Sequence, residues 1–299
     1  MTVSTRLAAN LAGIVGCSFT GASIVATRFV IGETDPVSLA FLRYLIGALC
    51  LAPIGFYLMR GKPKLTGREW LAVFGLGLLF FGLFPWLFNL SLSYTSAARG
   101  ALGLATAPLL TLALASVLRS EPFTEVKLAA VVAAFAGVGV AMASGPGGLA
   151  GEGRFWIGDL LMLAAAAVAA VYAVFAKPLL MRHPAIVVTA LTMASGVVGL
   201  APAAGAEGLF DRVPEFSAGG WIALAFLGVG GGAIQFGLWV WAVSRLTPTQ
   251  GAIFLTLTPI TAVLLAAVVL GEAIYPGLLL GLALVVGGIL LANRPPKSA

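Results

Sequence analysis

The sequence contains the same pattern of apolar and punctuating residues twice. The segment ARGALGLATAPLLTLALASVLRSEP, from residue 98, matches TQGAIFLTLTPITAVLLAAVVLGEA, from residue 249, at a constant offset of 151 residues. Matches among Leu and Ala arise easily in apolar sequence, whereas ungapped matches at Gly, Pro and Glu do not. The offset aligns four such pairs: Gly100 with Gly251, Pro108 with Pro259, Glu121 with Glu272, and Gly137 with Gly288. The chain is therefore predicted to contain an internal duplication.

Composition places these repeats in a lipid bilayer. The 299 residues are 60% hydrophobic and only 9% charged, whereas a soluble domain carries about 25% charged residues. A transmembrane helix needs about 20 apolar residues, so the length suits ten spans joined by short loops. The predicted fold class is therefore an all-α, polytopic membrane protein. Its ten spans are expected near residues 7–31, 37–59, 69–92, 96–118, 126–144, 155–180, 185–205, 219–244, 248–270 and 274–293.

Five spans in each copy give the two repeats opposite orientations in the membrane. Because five is odd, the second copy enters the bilayer from the opposite side to the first. We expect the first repeat at residues 1–147, the inverted second repeat at 153–294, and a cytoplasmic tail at 295–299. Inverted repeats are common in secondary transporters, where two pseudo-symmetric halves move around a site between them.

The Lys and Arg residues favour one orientation of the chain. With both termini in the cytoplasm, twelve basic residues fall in inner segments and four in outer segments. Cytoplasmic loops of membrane proteins carry such an excess. The sequence therefore predicts cytoplasmic termini. The net charge of +6 is explained by this bias and does not indicate a nucleic-acid partner.

Two spacings recur in both repeats. A Gly–x7–Pro spacing starts at Gly100 and at Gly251, and a Glu-then-Gly spacing starts at Glu121 and at Glu272. With the openings SFTGASIVATRFV at 18–30 and DPVSLAFLRYLIGA at 35–48, these resemble the drug/metabolite transporter superfamily, in the ten-span branch whose repeats are called EamA domains. The resemblance implies a carrier of the bacterial inner membrane, with a cavity lined by spans one, three, four, six, eight and nine. Within that family the chain is similar to amino-acid exporters of the YddG type.

Polar and aromatic residues inside the spans are the candidate site residues, because polar groups in lipid are costly unless they face a cavity or a partner. Spans three and eight present matching stripes, which contain Gly82, Trp86, Asn89 and Ser93 in one and Gly228, Gly232, Gln235 and Trp239 in the other. Small and hydroxyl residues also hold membrane helices together, so helix packing is the alternative for these stripes. The candidates for substrate binding are Trp86, Asn89, Gln235, Trp239, Tyr172, Thr20 and Arg43.

Prolines and charged residues give further hypotheses. Pro108 and Pro259 lie near the middle of spans four and nine, where each frees a backbone carbonyl and acts either as a hinge or as a static kink. Arg43 either attracts a substrate carboxylate or is structural, whereas Arg28 and Arg99, near outer helix ends, need only snorkel to the interface. Glu121 and Glu272 are expected to stabilise the N-terminus of the helix that follows each of them.

Several features of enzymes and ATP-driven pumps are missing from the sequence. The segment RGKP at 60–63 lacks the first Gly and the final Ser or Thr of a phosphate-binding loop. One histidine, His183, in a loop, with Cys17 and Cys50 inside apolar runs, indicates neither a metal site nor catalysis. We therefore expect no enzymatic activity, no cofactor and no metal.

These observations predict a secondary transporter that exports amino acids, aromatic or other small amphipathic ones, or related metabolites by alternating access. The alternative is a sugar-phosphate, nucleotide-sugar or drug antiporter of the same superfamily. Asp159, one turn into span six, is the acidic residue nearest to the middle of a span, so facilitative rather than proton-coupled transport is expected. The expected partners are the substrate and the bilayer, and the expected unit is a monomer.

Overall fold

Every regular element in the described part of the chain is a helix. The computed structural model describes residues 3–60, 65–118, 124–145, 154–211, 214–243, 245–246 and 248–293. Six helices are single: α1 (Val3–Val30), α2 (Pro36–Met59), α5 (Glu125–Ser144), α6 (Phe155–Arg182), α7 (Ala185–Ala206) and α10 (Pro276–Ala292).

The other four helices are interrupted, in matching positions of the two repeats. Helix α3 consists of α3a (Gly67–Gly77), a π-helical α3b (Leu78–Leu83) and α3c (Phe84–Tyr94), and α8 of α8a (Ala218–Ala225), a π-helical α8b (Phe226–Ile234) and α8c (Gln235–Val243). Helix α4 is divided into α4a (Ala97–Leu104) and α4b (Ala107–Val117), and α9 into α9a (Pro248–Leu255) and α9b (Leu257–Leu270).

The helices have the length and composition of membrane spans. Among the described residues, nine helical stretches are long and apolar enough to cross a bilayer, and the tenth helix, α10, is apolar and has 17 residues. At about 1.5 Å per residue such a helix is about 25 Å long, close to the thickness of a hydrocarbon core. The all-α, ten-helix membrane fold predicted from the sequence is confirmed for this part of the chain.

The ten helices form a ring with approximate two-fold symmetry. Helix α1 packs against α8c and α9b, and its counterpart α6 packs against α3c and α4b. We call these groups the first triad (α1, α8, α9) and the second triad (α6, α3, α4). Helices α2 and α7 pack against each other between the triads on one side, and α5 and α10 do so on the other.

Glycine allows the α5–α10 pair to approach backbone to backbone. A Cβ atom on Gly137 would lie 2.7 Å from the carbonyl oxygen of Gly281, and one on Gly288 would lie 2.7 Å from that of Ala130. Neither glycine could carry a side chain without displacing the partner helix, which is the packing mode of small residues in membranes. The Gly137 and Gly288 matched by the repeat therefore hold the two repeats together.

The two ends of the ring differ. We call the end near Val3 and Asn293 the terminal face, and the opposite end the distal face. At the distal face the triads meet, because α4a packs against α9b and α1, and α3c packs against α1. In the part of the chain that the structure describes, no comparable packing joins the equivalent elements α4b and α9a at the terminal face. Among the described residues, the space between the triads is therefore closed at the distal face and not at the terminal face.

Candidate functional site

An aromatic cluster lies near the middle of the spans, between the two triads. The ring of Phe80 in α3b stacks on Tyr172 of α6, with 4.2 Å between centroids, and on Phe84 at 5.1 Å. Phe81 contacts Phe236 of α8c at 5.7 Å and, edge to face, Tyr44 of α2 at 5.1 Å. Four of these rings are only partly buried, so part of the surface of each remains accessible to an apolar or aromatic group: Phe80, Phe84, Tyr172 and Phe236.

The π-helical segments explain why these aromatic residues point to the same place. A π-helix inserts an extra residue into a turn and rotates the following residues about the helix axis, and such segments are frequent at functional sites. Phe80 and Phe81 both lie in α3b, and the equivalent segment α8b immediately precedes Gln235 and Phe236. Regular helical spacing does not bring these rings together, so the candidates from the sequence did not include Phe80, Phe81, Phe84 and Phe236.

Gln235, Trp239 and Thr20 lie together at the α1–α8 contact. A Cβ atom on Gly16 would lie 3.4 Å from the backbone nitrogen of Trp239 and 3.6 Å from the backbone carbonyl oxygen of Gln235, so α1 and α8c pack closely here. The side chains of Gln235 and Trp239 are partly buried, and Oε1 of Gln235 has no hydrogen-bond partner. The Thr20 hydroxyl donates to the Gly16 carbonyl at 3.1 Å. The carboxamide of Gln235 thus retains an acceptor beside Phe236.

Trp86 and Asn89 do not join this cluster. Trp86 is 40% exposed and lies two residues after Phe84 in α3c, about 200° around the helix, so it faces away from the aromatic rings. Asn89 is fully buried, and its Nδ2 donates to the Pro36 carbonyl at 2.9 Å. Trp86, Asn89 and Ser93 lie on one face of the regular helix α3c, and this face is about opposite Phe84. Gly82 precedes them in the π-helical α3b, so it is out of register with that face, and it is buried.

Glycines of the second predicted stripe are packing residues. Gly228 lies against Ile46 of α2, and a Cβ atom there would be 2.5 Å from the Ile46 Cβ. A Cβ atom on Gly232 would lie 3.1 Å from the Cα atom of Gly47, also in α2. The close contact of α2 with α8b therefore requires glycine at these positions.

Arg43 is buried between α1, α2 and α8. It is 6% exposed, its Nη1 lies 3.5 Å from the Thr27 hydroxyl, and its Nε has no hydrogen-bond partner. A Cβ atom on Gly231 would lie 3.4 Å from Arg43 Nη2 and 2.5 Å from the hydroxyl of Ser23, which is also unpartnered. Among the described residues, no carboxylate pairs with Arg43. A buried cation in this state is costly, and it attracts anionic groups.

Pro108 and Pro259 are accompanied by breaks in their helices. Each proline cannot donate to the carbonyl four residues earlier, which belongs to Leu104 or Leu255, the last residue of the preceding segment. A threonine stabilises each break: Thr106 donates to the Gly103 carbonyl at 2.7 Å, and Thr256 to that of Ile253 at 2.6 Å. Each break separates the half of α4 or α9 that packs at the distal face from the half that does not.

Arg99 was expected to snorkel to the membrane interface, but it lies buried inside the protein. It is 4% exposed and forms an ion pair with Asp159 of α6, which is 3% exposed and accepts from the Thr95 hydroxyl at 2.8 Å. Thr95 and Arg99 flank the start of α4a, and this helix packs on α6, so the guanidinium is carried inward. Opposite charges near the outer ends of spans four and six were the sequence signal for this pair.

Glu272 also has a different role from the one predicted. Its carboxylate does not cap the following helix, α10. It accepts from the backbone N–H groups of Ala97 and Ala98 at 2.7 and 3.0 Å, at the N-terminus of α4a. Gly271, with φ of +66°, ends α9b in the left-handed conformation and turns the chain so that Glu272 reaches the other repeat. Glu121, its counterpart, lies outside the described residues.

Arg28 also links the triads at the distal face. Its Nη1 donates to the Leu92 carbonyl of α3c at 3.0 Å. Together with the Asn89–Pro36 hydrogen bond, which joins α3c to α2, and the Glu272 contacts with α4a, it forms what we call the distal gate. At the terminal face Glu69 contacts Arg182 and His183 at 3.4 and 3.3 Å, but this contact lies within the second half of the ring, between α3 and the α6–α7 turn. The polar contacts of Arg28 and Glu272, which link the triads directly, thus lie at the distal face.

Ten apolar helices in two inverted repeats, with interrupted helices in matching positions, are typical of secondary transporters of small molecules. The sequence matches the model of the EamA-like transporter family twice, over residues 7–143 and 156–294. The chain belongs to this family, as its resemblance to the drug/metabolite transporters predicted. Family members are transporters, so the expectation that the chain is not an enzyme is confirmed.

Named relatives fit this family. The chain is 33% identical, over 70% of its length and 68% of the relative's, to a probable terminal-alkyne amino-acid exporter of Streptantibioticus cattleyicolor. It is 26% identical to a probable amino-acid metabolite efflux pump of Salmonella typhimurium, over 90% of this chain and 89% of that protein. A crystal structure with 24% identity, which covers 95% of this chain and 96% of its own, superposes with a TM-score of 0.68 and shows the same fold.

Proposed function

We propose that this protein exports amino acids, aromatic or other small amphipathic ones, by alternating access, and that the aromatic cluster with Gln235 is its substrate site. The observation that carries the proposal is the position of this cluster, midway along the spans and between two triads whose helices, among the described residues, pack closely at the distal end only. A site at the interface of inverted repeats is the usual place for a substrate in secondary transporters. The names of the two exporters among the relatives favour the same class of substrate.

The chemistry of the site fits an amphipathic zwitterion. Phe80, Phe84 and Tyr172 offer stacked rings to an apolar side chain, and the free Oε1 of Gln235 accepts a hydrogen bond from an ammonium group. Arg43, buried without a carboxylate partner among the described residues, contributes the positive potential that holds a substrate carboxylate.

A phosphorylated substrate is less well supported. Several basic side chains around the cavity would be needed to hold two or more negative charges. Arg99 is neutralised by Asp159, which leaves Arg28 and Arg43 as the cations near the space between the triads in the described part of the chain. A sugar-phosphate or nucleotide-sugar antiporter therefore remains the second choice.

The proposed orientation places the terminal face in the cytoplasm of a bacterial cell and the distal face outside. The bias of Lys and Arg towards the terminal face supports it. In this orientation the structure represents the state that loads substrate from the cytoplasm. We further propose that the unit is a monomer, that its repeats occupy residues 1–147 and 153–294, and that Pro108 and Pro259 act as hinges.

Uptake of a labelled amino-acid panel into liposomes that contain the purified protein tests the proposal. Saturable uptake that is indifferent to an imposed pH gradient is expected. Tyr172→Ala should raise KM for an aromatic amino acid by about tenfold, because an aromatic pair contributes about 0.5–1.5 kcal/mol beyond the area it buries. Uptake that requires the pH gradient would contradict the facilitative mechanism.

Trp86→Ala is the matched control. Sequence alone predicts that this variant, like Gln235→Ala, impairs transport, whereas the 40% exposure of Trp86 supports a position outside the site. We now expect a change of less than about twofold in KM, since an exposed aromatic residue outside the site contributes little to binding. An equal loss in Trp86→Ala and Tyr172→Ala would refute the aromatic cluster as the substrate site.

A further inference from the structure

A cavity lies at the distal face, lined by residues other than those of the aromatic cluster. It has a volume of about 150 Å³ and is lined by Ser96, Arg99, Phe155, Glu272, Ala273 and Tyr275. At about 30 Å³ per water molecule, this volume holds about five waters, or one small amino acid. The Tyr275 hydroxyl donates to the Ala141 carbonyl at 2.9 Å. Burial raises the pKa of Tyr275, so its hydroxyl stays protonated.

Arg99 brings unused hydrogen-bond donors to this cavity. Its Nη2 is bound to Asp159, whereas Nε and Nη1 have no partner although the side chain is 4% exposed. A Cβ atom on Gly145 would lie 2.9 Å from Nη1 and 2.6 Å from the Tyr275 hydroxyl, so Nη1 lies on the side of the cavity that Tyr275 lines. Buried donors without partners are rare and costly, which indicates that a ligand supplies the missing hydrogen-bond acceptors.

The charges around the cavity select a zwitterion rather than a simple anion. Asp159 balances the charge of Arg99, and Glu272 adds a carboxylate whose oxygens accept one backbone N–H each and retain further acceptor capacity. A lone anion would meet a negative carboxylate, and a lone cation would meet the guanidinium of Arg99. A molecule with both a carboxylate and an ammonium group satisfies both side chains.

We propose that this cavity is a second amino-acid site, open to the distal face, in which Arg99 binds the carboxylate and Glu272 binds the ammonium group of a small amino acid. Phe155, Ala273 and Tyr275 enclose its side chain. The choice of an amino acid rests in part on the proposed function, but the site itself depends only on these residues. Because Glu272 also holds α4a, occupation of the site is coupled to the distal gate.

Protection of an introduced thiol tests this site directly. In purified full-length protein with Cys17→Ala and Cys50→Ala, the variant Ala273→Cys places a thiol on the exposed wall of the cavity. L-Alanine at millimolar concentration should slow its reaction with a water-soluble maleimide several-fold. Propionate and ethylammonium, which each keep one charge of the zwitterion, should protect much less.

Ile274→Cys is the matched control, because Ile274 is the neighbouring residue, is 45% exposed and does not line the cavity. Its labelling should not respond to L-alanine. Absence of protection at Ala273→Cys, or equal protection by propionate, would overturn the proposal. Protection in a protein that transports no amino acid would keep this site and refute the proposed function, and the reverse result would refute this site alone.

Discussion

The distal and terminal faces are built from equivalent elements of the two repeats, yet among the described residues the triads pack closely against each other at the distal face only. Arg28 in α1 corresponds to Lys177 in α6, and Leu92, which accepts from Arg28, corresponds to Val243. Arg28 donates to the Leu92 carbonyl, whereas Lys177 is exposed. Under the proposed alternating access, this difference belongs to the state of the molecule and not to its architecture, because the repeats share one fold. In the opposite state, we expect Lys177 to donate to the Val243 carbonyl.

The comparison also shows where the symmetry has been lost. Asn89 donates across the distal gate to Pro36, but its counterpart in α8 is Val240, which has no polar atom in its side chain. The terminal face therefore lacks one of the hydrogen bonds that hold the distal face closed. This difference favours the distally closed state when no substrate is bound.

Glu272→Ala should have the largest effect on the difference between the two faces, because it weakens the contact that holds the distal face closed. The variant removes the acceptor of two partly buried backbone N–H groups, and each unsatisfied donor costs about 1–3 kcal/mol. We expect hydrogen exchange in residues 97–104 to accelerate about tenfold or more, while exchange in α6 stays unchanged. In Glu272→Gln, which keeps one acceptor oxygen, the exchange rate should lie between those of Glu272→Ala and the parent protein. Unchanged exchange in α4a would show that the carboxylate does not hold the gate.

Lys177→Ala tests the state that the structure does not show. Lys177 is exposed here, so the free energy of unfolding should not change. If Lys177 closes the terminal face in the other state, the variant loses a charged hydrogen bond of about 1.5–3 kcal/mol there, and the transport rate should fall about tenfold or more. Lys177→Arg should restore transport, because arginine occupies the equivalent position at the distal face. Normal transport by Lys177→Ala would refute the predicted terminal contact.

Asn89→Val should have the smallest effect of the three variants on the difference between the two faces. It gives the distal face the residue found at the equivalent terminal position and removes one hydrogen bond of about 1 kcal/mol, which changes the ratio of the two states about fivefold. Spin labels on the distal ends of α2 and α3 would report a larger share of long distances. The reciprocal variant, Val240→Asn, should leave that share unchanged or smaller, and a larger share would contradict the assignment.

The sequence predicted the architecture well because its signals are strong and local. Ten apolar segments, the Gly and Pro spacings and the odd number of spans per repeat were sufficient for the fold. The hydrophobic pattern alone determines where helices enter and leave the bilayer, and it is insensitive to local irregularities in the helix.

The site was predicted less well, because it depends on the orientation of helices around their axes. Tyr172, a candidate from the sequence, stacks on Phe80 in the aromatic cluster, whereas Trp86 lies about opposite Phe84 on α3c. Arg99 and Glu272 were misplaced for another reason: their partners lie in the other repeat, at separations of 60 and at least 174 residues. No local pattern reports such a contact.

The self-paired helices α5 and α10 have a consequence for the ancestry of the chain. Each of these helices is the counterpart of the other, and Gly137 and Gly281 bring them together across the symmetry axis. A chain of half this length would need only a second copy, inserted upside down, to complete the same ring. Once the two copies are joined in one chain, each copy adopts a single orientation, so the two sequences are free to diverge. Asn89 and Val240 illustrate this freedom. In an antiparallel dimer of identical chains, a substitution appears at both faces, whereas here Asn occupies only one of the two equivalent positions.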